Sequence, residues 1–153
     1  MKLDKTLFEH IAAKAAESPR LRMHFDLRDS KEENGQRMLN VLLPGSKSVI
    51  HRHTDTSEVV VCIYGSAIER FYDAQGNETQ MVMMKAGSDT PGVLIEQGRY
   101  HSLEATEEMG VIFEAKAHKY EQGKRKNYYN SNCHEHRLAV LLFPIENVFF
   151  CRS

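Results

Sequence analysis

From Gly35 onward the chain is cut into strand-sized apolar runs by glycine, proline and asparagine, and this punctuation limits the fold more than any other feature. "QRMLNVLL" runs into Pro44-Gly45, and "EVVVCIYG" closes at Gly65. "AIERFYD" and "ETQMVMMK" flank an "AQGN" turn, and "GVLIEQG" leads to "RYHSLEA". "GVIFEAKAH" follows Met109-Gly110. Turn residues recurring about every 8 to 12 positions leave no room for helices and predict an all-β sandwich or barrel. "DAQGNET" between "IERFY" and "QMVMM" predicts a hairpin.

The first segment is different. Leu3, Leu7, Phe8, Ile11 and Ala15 recur at helical spacing. Asp4 is placed to cap the start, and Ser18-Pro19 ends the helix because a residue before proline is pushed out of the helical region. The expected organisation is a helical extension over 1–30, a β core over 31–117 and a tail over 118–153 in the same domain. The helix should pack on the outside of the core. The tail's apolar run, "LAVLLFPIENVFF", needs cover from the domain's own sheet or from another subunit.

With 153 residues and a net charge of -1, the chain fits one domain. Its cations are scattered, and "GKRKN" at 123–127 reads as a solvated turn, so no nucleic-acid partner is expected. No run reaches the roughly 20 apolar residues of a membrane span, and acidic residues interrupt the N-terminal segment where an export signal needs an apolar core. Cys62, Cys133 and Cys151 are odd in number and far apart, which predicts a reducing, cytoplasmic setting without a disulfide framework.

The chemistry concentrates in "GSKSVIHRHTDTSEVVVCIYG", residues 45–65. On a strand, side chains at i and i+2 share a face, so His51 and His53 project together and Arg52 points away. Glu58 has the wrong parity to join them on one continuous strand. A turn at "TDTS" would reset the alternation, after which Glu58, Val60, Cys62 and Tyr64 share a face and Val59, Val61 and Ile63 fill a second covered face. Neutral imidazoles with a carboxylate suit one borderline divalent transition metal such as Fe, Mn, Co, Ni or Zn. Three ligands leave such an ion incomplete. "EQGRYHSLEA" supplies a fourth in His101, after a turn at Gly98, with Leu103 and Ala105 on its face. An octahedral ion held by His51, His53, Glu58 and His101 keeps two open positions.

The spacing Gly45, five residues, His51-x-His53, four residues, Glu58, six residues, Gly65 resembles the first cupin motif at every fixed position. Gly98 and His101 keep part of the second motif, with Glu96 where a proline is usual and Ala105 where an asparagine is common. The resemblance implies a cupin jelly-roll β-sandwich with a metal in its mouth and a homodimeric assembly. Over residues 1–117, "SPRLR", "QRMLNVLLPGS" and "HRHTD" are similar to the small WbuC-type cupin metalloproteins of bacterial O-antigen gene clusters. That likeness implies a context, surface-polysaccharide synthesis, more than a chemistry.

Beside the metal, Arg37 could hold a carboxylate, phosphate or sugar hydroxyls if it faces inward, with Asn40 of opposite parity and Gln36 on Asn40's face. Tyr64 could offer its hydroxyl to a substrate. Cys62 on the same face reads as a small hydrophobe and the Met81, Met83, Met84 run as core filling. Cys133, His134 and His136 form a further metal-binding pattern, but no returning ligand follows it, so it reads as a surface loop. The leading expectation is a metal-dependent enzyme acting on a small polar molecule, a sugar or sugar nucleotide, by Lewis-acid isomerisation or epimerisation. The alternatives are an iron-dependent dioxygenase, a non-catalytic ligand-binding cupin, and a metal that only pins the sandwich. An enzyme needs a general base, for which Glu69 and Glu96 are the candidates.

Overall fold

The computed structural model describes residues 1–30, 32–117 and 127–128. The expectations for the tail, including Cys133, His134, His136 and the terminal apolar run, lie outside the described residues. One helix, α1 (Lys5–Ala16), is followed by β1 (Arg22–Asp26), β2 (Gln36–Leu42), β3 (His51–Arg52), β4 (Glu58–Tyr64) and β5 (Ser66–Tyr72). Next come β6 (Glu78–Lys85), β7 (Gly92–Ile95), β8 (Tyr100–Ala105), β9 (Gly110–Lys116) and β10 (Asn127–Tyr128). Every run marked by turn punctuation is a strand. β1 is an addition: Met23 and Phe25 alternate with polar residues in a segment expected to belong to the helical extension. Among the described residues no helix is long and apolar enough to cross a membrane.

The strands form two five-stranded sheets, ordered β1-β2-β9-β4-β7 (sheet A) and β10-β3-β8-β5-β6 (sheet B), with antiparallel pairing throughout. They face each other as a β-sandwich. Leu42, Val60, Cys62 and Ile112 of sheet A meet Ala67, Phe71, Met84 and Leu103 of sheet B in its core. At one end this interior turns polar. The register of sheet A aligns Gln36, Lys116 and Glu58 on one face, with Met38, Glu114 and Val60 in the next row. The register of sheet B aligns His51, His101 and Phe71, then Leu103 beside Glu69.

Helix α1 packs on the outer face of sheet A, as the sequence predicts. The Leu7 N–H donates to Asp4 Oδ1 at 3.1 Å, capping the helix. Phe8 and Ile11 bury against Leu39, Val41 and Val111. The same outer face is uncovered by the helix over β4 and β7: Val59 is 41% exposed, Ile63 36% and Leu94 63%. The expectation that β4 is covered on both faces is therefore corrected. Valines fit a strand through their branched shape as well as through burial, so a valine run alone does not mark a doubly covered strand. Met81 and Met83 likewise lie exposed on sheet B, and only Met84 fills the core.

Candidate metal centre

The four side chains singled out by spacing arrive from both sheets. β3 lies in sheet B and β4 in sheet A, so the polar "TDTS" segment carries the chain from one layer to the other. Glu58 opens a new strand after this segment, as expected, and meets the histidines across the interior. His101 pairs directly with His51. Its strand is set by the turn at Gly98, which has φ +80 and whose N–H donates to the His53 carbonyl at 2.7 Å. Only a residue tolerating the left-handed region makes that turn without strain.

One ligand atom from each of His51, His53 and His101 lies within 4.8 Å of the others. His53 Nε2 is 3.2 Å, and His101 Nε2 3.6 Å, from Glu58 Oε2. The ring tautomers suit ligation. His51 Nδ1–H donates to the Val49 carbonyl at 3.0 Å and His101 Nδ1–H to the Arg99 carbonyl at 2.9 Å, which leaves the ligating role to Nε2 of each ring. Burial pushes His53 below the ordinary imidazole value, against the opposing hydrogen bond and charge of Glu58, which favours the neutral ring a metal requires. Burial also works against charge on Glu58. The imidazoles of His101 and His53 and the Lys116 ammonium outweigh it and hold the carboxyl well below the usual carboxylate range. Three imidazoles, those of His51 and His53 half-buried, and a buried carboxylate fit a transition-metal ion.

The residues expected to touch substrate divide. Asn40 faces the interior, and its Nδ2 donates to Glu114 Oε1 at 2.5 Å. Arg37 does not join it: the side chain is half-exposed on the outer face and ion-paired with Glu33. Strand parity makes it share a face with Leu39, beneath the helix layer. Arg37→Ala is accordingly expected to change stability by less than about 0.5 kcal/mol in chemical denaturation and to leave metal content as it is. Tyr64 is also misplaced by simple alternation. A register shift between Cys62 and Tyr64 turns the tyrosine outward, where its ring packs 5.8 Å from that of Phe8. Arg52 points away from the centre as expected, over the Tyr100 ring at 4.7 Å. Glu96 is exposed beside Arg99, 3.8 Å away, and is no candidate base.

Two interior groups, Lys116 and Glu114, escaped notice in the sequence, and Gln36 entered only through its parity with Asn40. Lys116 Nζ stands 4.0 Å from Glu58 Oε1, with both side chains buried. Glu114 lies one inward position before it. Gln36 is buried beside Lys116. Glu69 sits deepest: burial first, then the charges of Glu58 and Glu114, push its carboxyl well above the ordinary value.

Residues 3–84, more than half of the chain, match the family described as a domain of unknown function, DUF6016. The chain belongs to that family. No curated protein matches this DUF6016 chain. Solved structures do. TT1209 from Thermus thermophilus superposes with a TM-score of 0.57 at 15% identity, covering 78% of this chain and 100% of its own. The capsular polysaccharide assembling protein CapF from Staphylococcus aureus gives 0.55 at 18% identity, over 70% of this chain and 31% of its own. Bacillus subtilis oxalate decarboxylase, described with Mn(II) centres, gives 0.51 at 20% identity, over 65% of this chain and 26% of its own. The DUF6016 chain thus spans under a third of the latter two proteins. What they share with it is the fold, the cupin jelly roll that the opening motif implies.

Proposed function

We propose that this DUF6016 chain is a metal-dependent cupin enzyme acting on a small polar substrate, a sugar or sugar nucleotide of surface-polysaccharide synthesis, by isomerisation or epimerisation. The observation that carries the reading is the cluster of His51, His53 and His101, with Glu58 of the opposite sheet against His53 and His101 and the tautomers of His51 and His101 fixed by backbone carbonyls. CapF, a protein of capsular polysaccharide assembly, supports the context through its shared fold, as does the likeness to WbuC-type cupins. A homodimer is the assembly proposed.

The bound ion would supply Lewis acidity toward a carbonyl oxygen. The chain's own residues supply the rest. Glu58 fixes a negative charge at the centre, and Lys116 balances it from the neighbouring strand. The apolar core beyond Leu103 and Val60 closes the inner end and excludes water from it. Burial, followed by the charges of Glu58 and Glu114, pushes the Glu69 carboxyl well above its ordinary value, and in its protonated form it would give a hydrogen bond within that interior.

Elemental analysis of untagged protein, purified without chelator or added metal, tests the reading. Wild type is expected to carry about one equivalent of a divalent transition metal, consistent with the ligand set. His51→Ala and His101→Ala are expected to lose it while remaining folded. Iron in the site would direct assays to oxygen uptake, and manganese, nickel or zinc to sugar isomerisation. A folded wild type that takes up no metal would sink the reading.

A further inference from the structure

Two buried side-chain oxygens face the interior from opposite sheets without a partner among the described residues. Gln36 Oε1 and Glu69 Oε1 have no hydrogen-bond partner among the described residues, although Gln36 is only 6% and Glu69 1% exposed. A buried oxygen left unpaired costs its full desolvation, and native proteins satisfy nearly all such groups. These two flank the metal cluster. Gln36 is in register with Lys116, which is in register with Glu58. Glu69 is one inward position along β5 from Phe71, which lies opposite His101. It is in register with Leu103, and Leu103 and Phe71 both lie in the core between the sheets, so Glu69 faces sheet A next to the row that holds His101.

Lys116 adds a charge to the arrangement. At 4.0 Å its ammonium is too far from Glu58 Oε1 to donate a hydrogen bond to it, and burial keeps bulk water from serving in its place. A divalent ion on Glu58 together with Lys116 would bring three positive charges against the two negative charges of Glu58 and Glu114, which leaves room for one further anion beside Lys116 while Glu69 is neutral. The unmet chemistry is specific: one anionic group for Lys116, and hydroxyls, which both give and accept hydrogen bonds, for Gln36 and Glu69.

We infer that Gln36, Lys116 and Glu69 form a substrate subsite beside the metal cluster that takes a hydroxylated carboxylate, a sugar-acid type of molecule. Lys116 holds the carboxylate, and Gln36 and Glu69 bind hydroxyls from the two sheets. This rests on the metal-centre reading above and narrows its substrate class from sugars in general to acidic ones.

Calorimetric titration with three probes tests it: glycerate, glycerol (the hydroxyls without the charge) and propionate (the charge with fewer polar groups). Each is titrated into metal-loaded and chelator-stripped protein of measured metal content. Glycerate should bind the loaded protein roughly tenfold or more tighter than either comparator, the scale of one charge-assisted hydrogen bond. Lys116→Met should erase the preference over glycerol, and Gln36→Leu the preference over propionate, with metal content unchanged in Gln36→Leu. Lys116→Gln replaces the methionine variant if that one does not fold. Equal affinity for all three probes, or preferences that survive both substitutions, overturns the subsite and leaves those oxygens to ordered water. Protein that binds no metal yet prefers glycerate, and loses that preference in Lys116→Met, sinks the metal reading while the subsite stands.

Discussion

Gly65→Ala is expected to destabilise the protein by about 4 kcal/mol or more, enough to unfold much of it at room temperature. Gly65 ends β4 and turns the chain from sheet A into sheet B with φ +63. An L side chain pays roughly 1–2 kcal/mol for that conformation alone. The larger part comes from packing. A Cβ at this position would stand 1.9 Å from the Met109 carbonyl oxygen and 3.0 Å from its carbon, and neither backbone atom can swing aside. Gly87→Ala isolates the first effect, because Gly87 has φ +73 and nothing within 4 Å of an added Cβ. Urea denaturation of the two variants should separate them by about 2 kcal/mol or more. Equal losses would mean that the Met109 contact relaxes freely and that only the dihedral angle matters.

Glu69→Gln should stabilise the metal-free protein, increasingly so as pH rises. Burial, followed by the charges of Glu58 and Glu114, raises this carboxyl well above its ordinary value of 4.5. Between that ordinary value and the raised one, the folded state holds a proton that the unfolded chain has released. Stability from this group is therefore complete below the unfolded pKa and declines as pH climbs through the window toward the folded pKa. Glutamine keeps the shape and never ionises, so it escapes the decline. Thermal unfolding of chelator-treated wild type and variant should give nearly equal midpoints near pH 5. The variant should then lead by several degrees at pH 8, since about 1 kcal/mol moves a domain of this size by roughly 2–4 °C. A difference that stays constant across pH would show that Glu69 is not held protonated.

Much of this architecture could be read from the residue order, and the failures share one cause. Turn chemistry located β2 and β4 through β9, because glycine and proline act on their own backbone and need no partner. The gathering of His51, His53, Glu58 and His101 was legible for a similar reason: i, i+2 parity and a turn glycine are local signals. Tyr64 was misjudged because a bulge one residue before it breaks the alternation, and nothing in "VCIYG" distinguishes a bulged strand from a regular one. Arg37 and Asn40 were known to face opposite ways, but which way faced the interior depended on where α1 docks. Gln36, Lys116 and Glu69 were harder still. Their proximity exists only because two sheets stack in one particular register, and a residue on one strand carries no mark of what lies across the sandwich. β1 stayed hidden in "RLRMHFDLRDS", where charge masks the alternation of Met23 and Phe25.

The passage of the chain between layers at "TDTS" has a mechanical meaning. The three imidazoles belong to the sheet B side and the carboxylate to sheet A, so whatever is held by all four rivets one layer to the other. An ion there acts as a removable cross-link, and it favours the closed sandwich by an amount that grows with the logarithm of its free concentration. The melting point of such a protein is then a gauge of metal supply as much as a property of the polypeptide. With metal scarce, the layers at the histidine end would be held only by the contacts of Glu58 with His53 and His101.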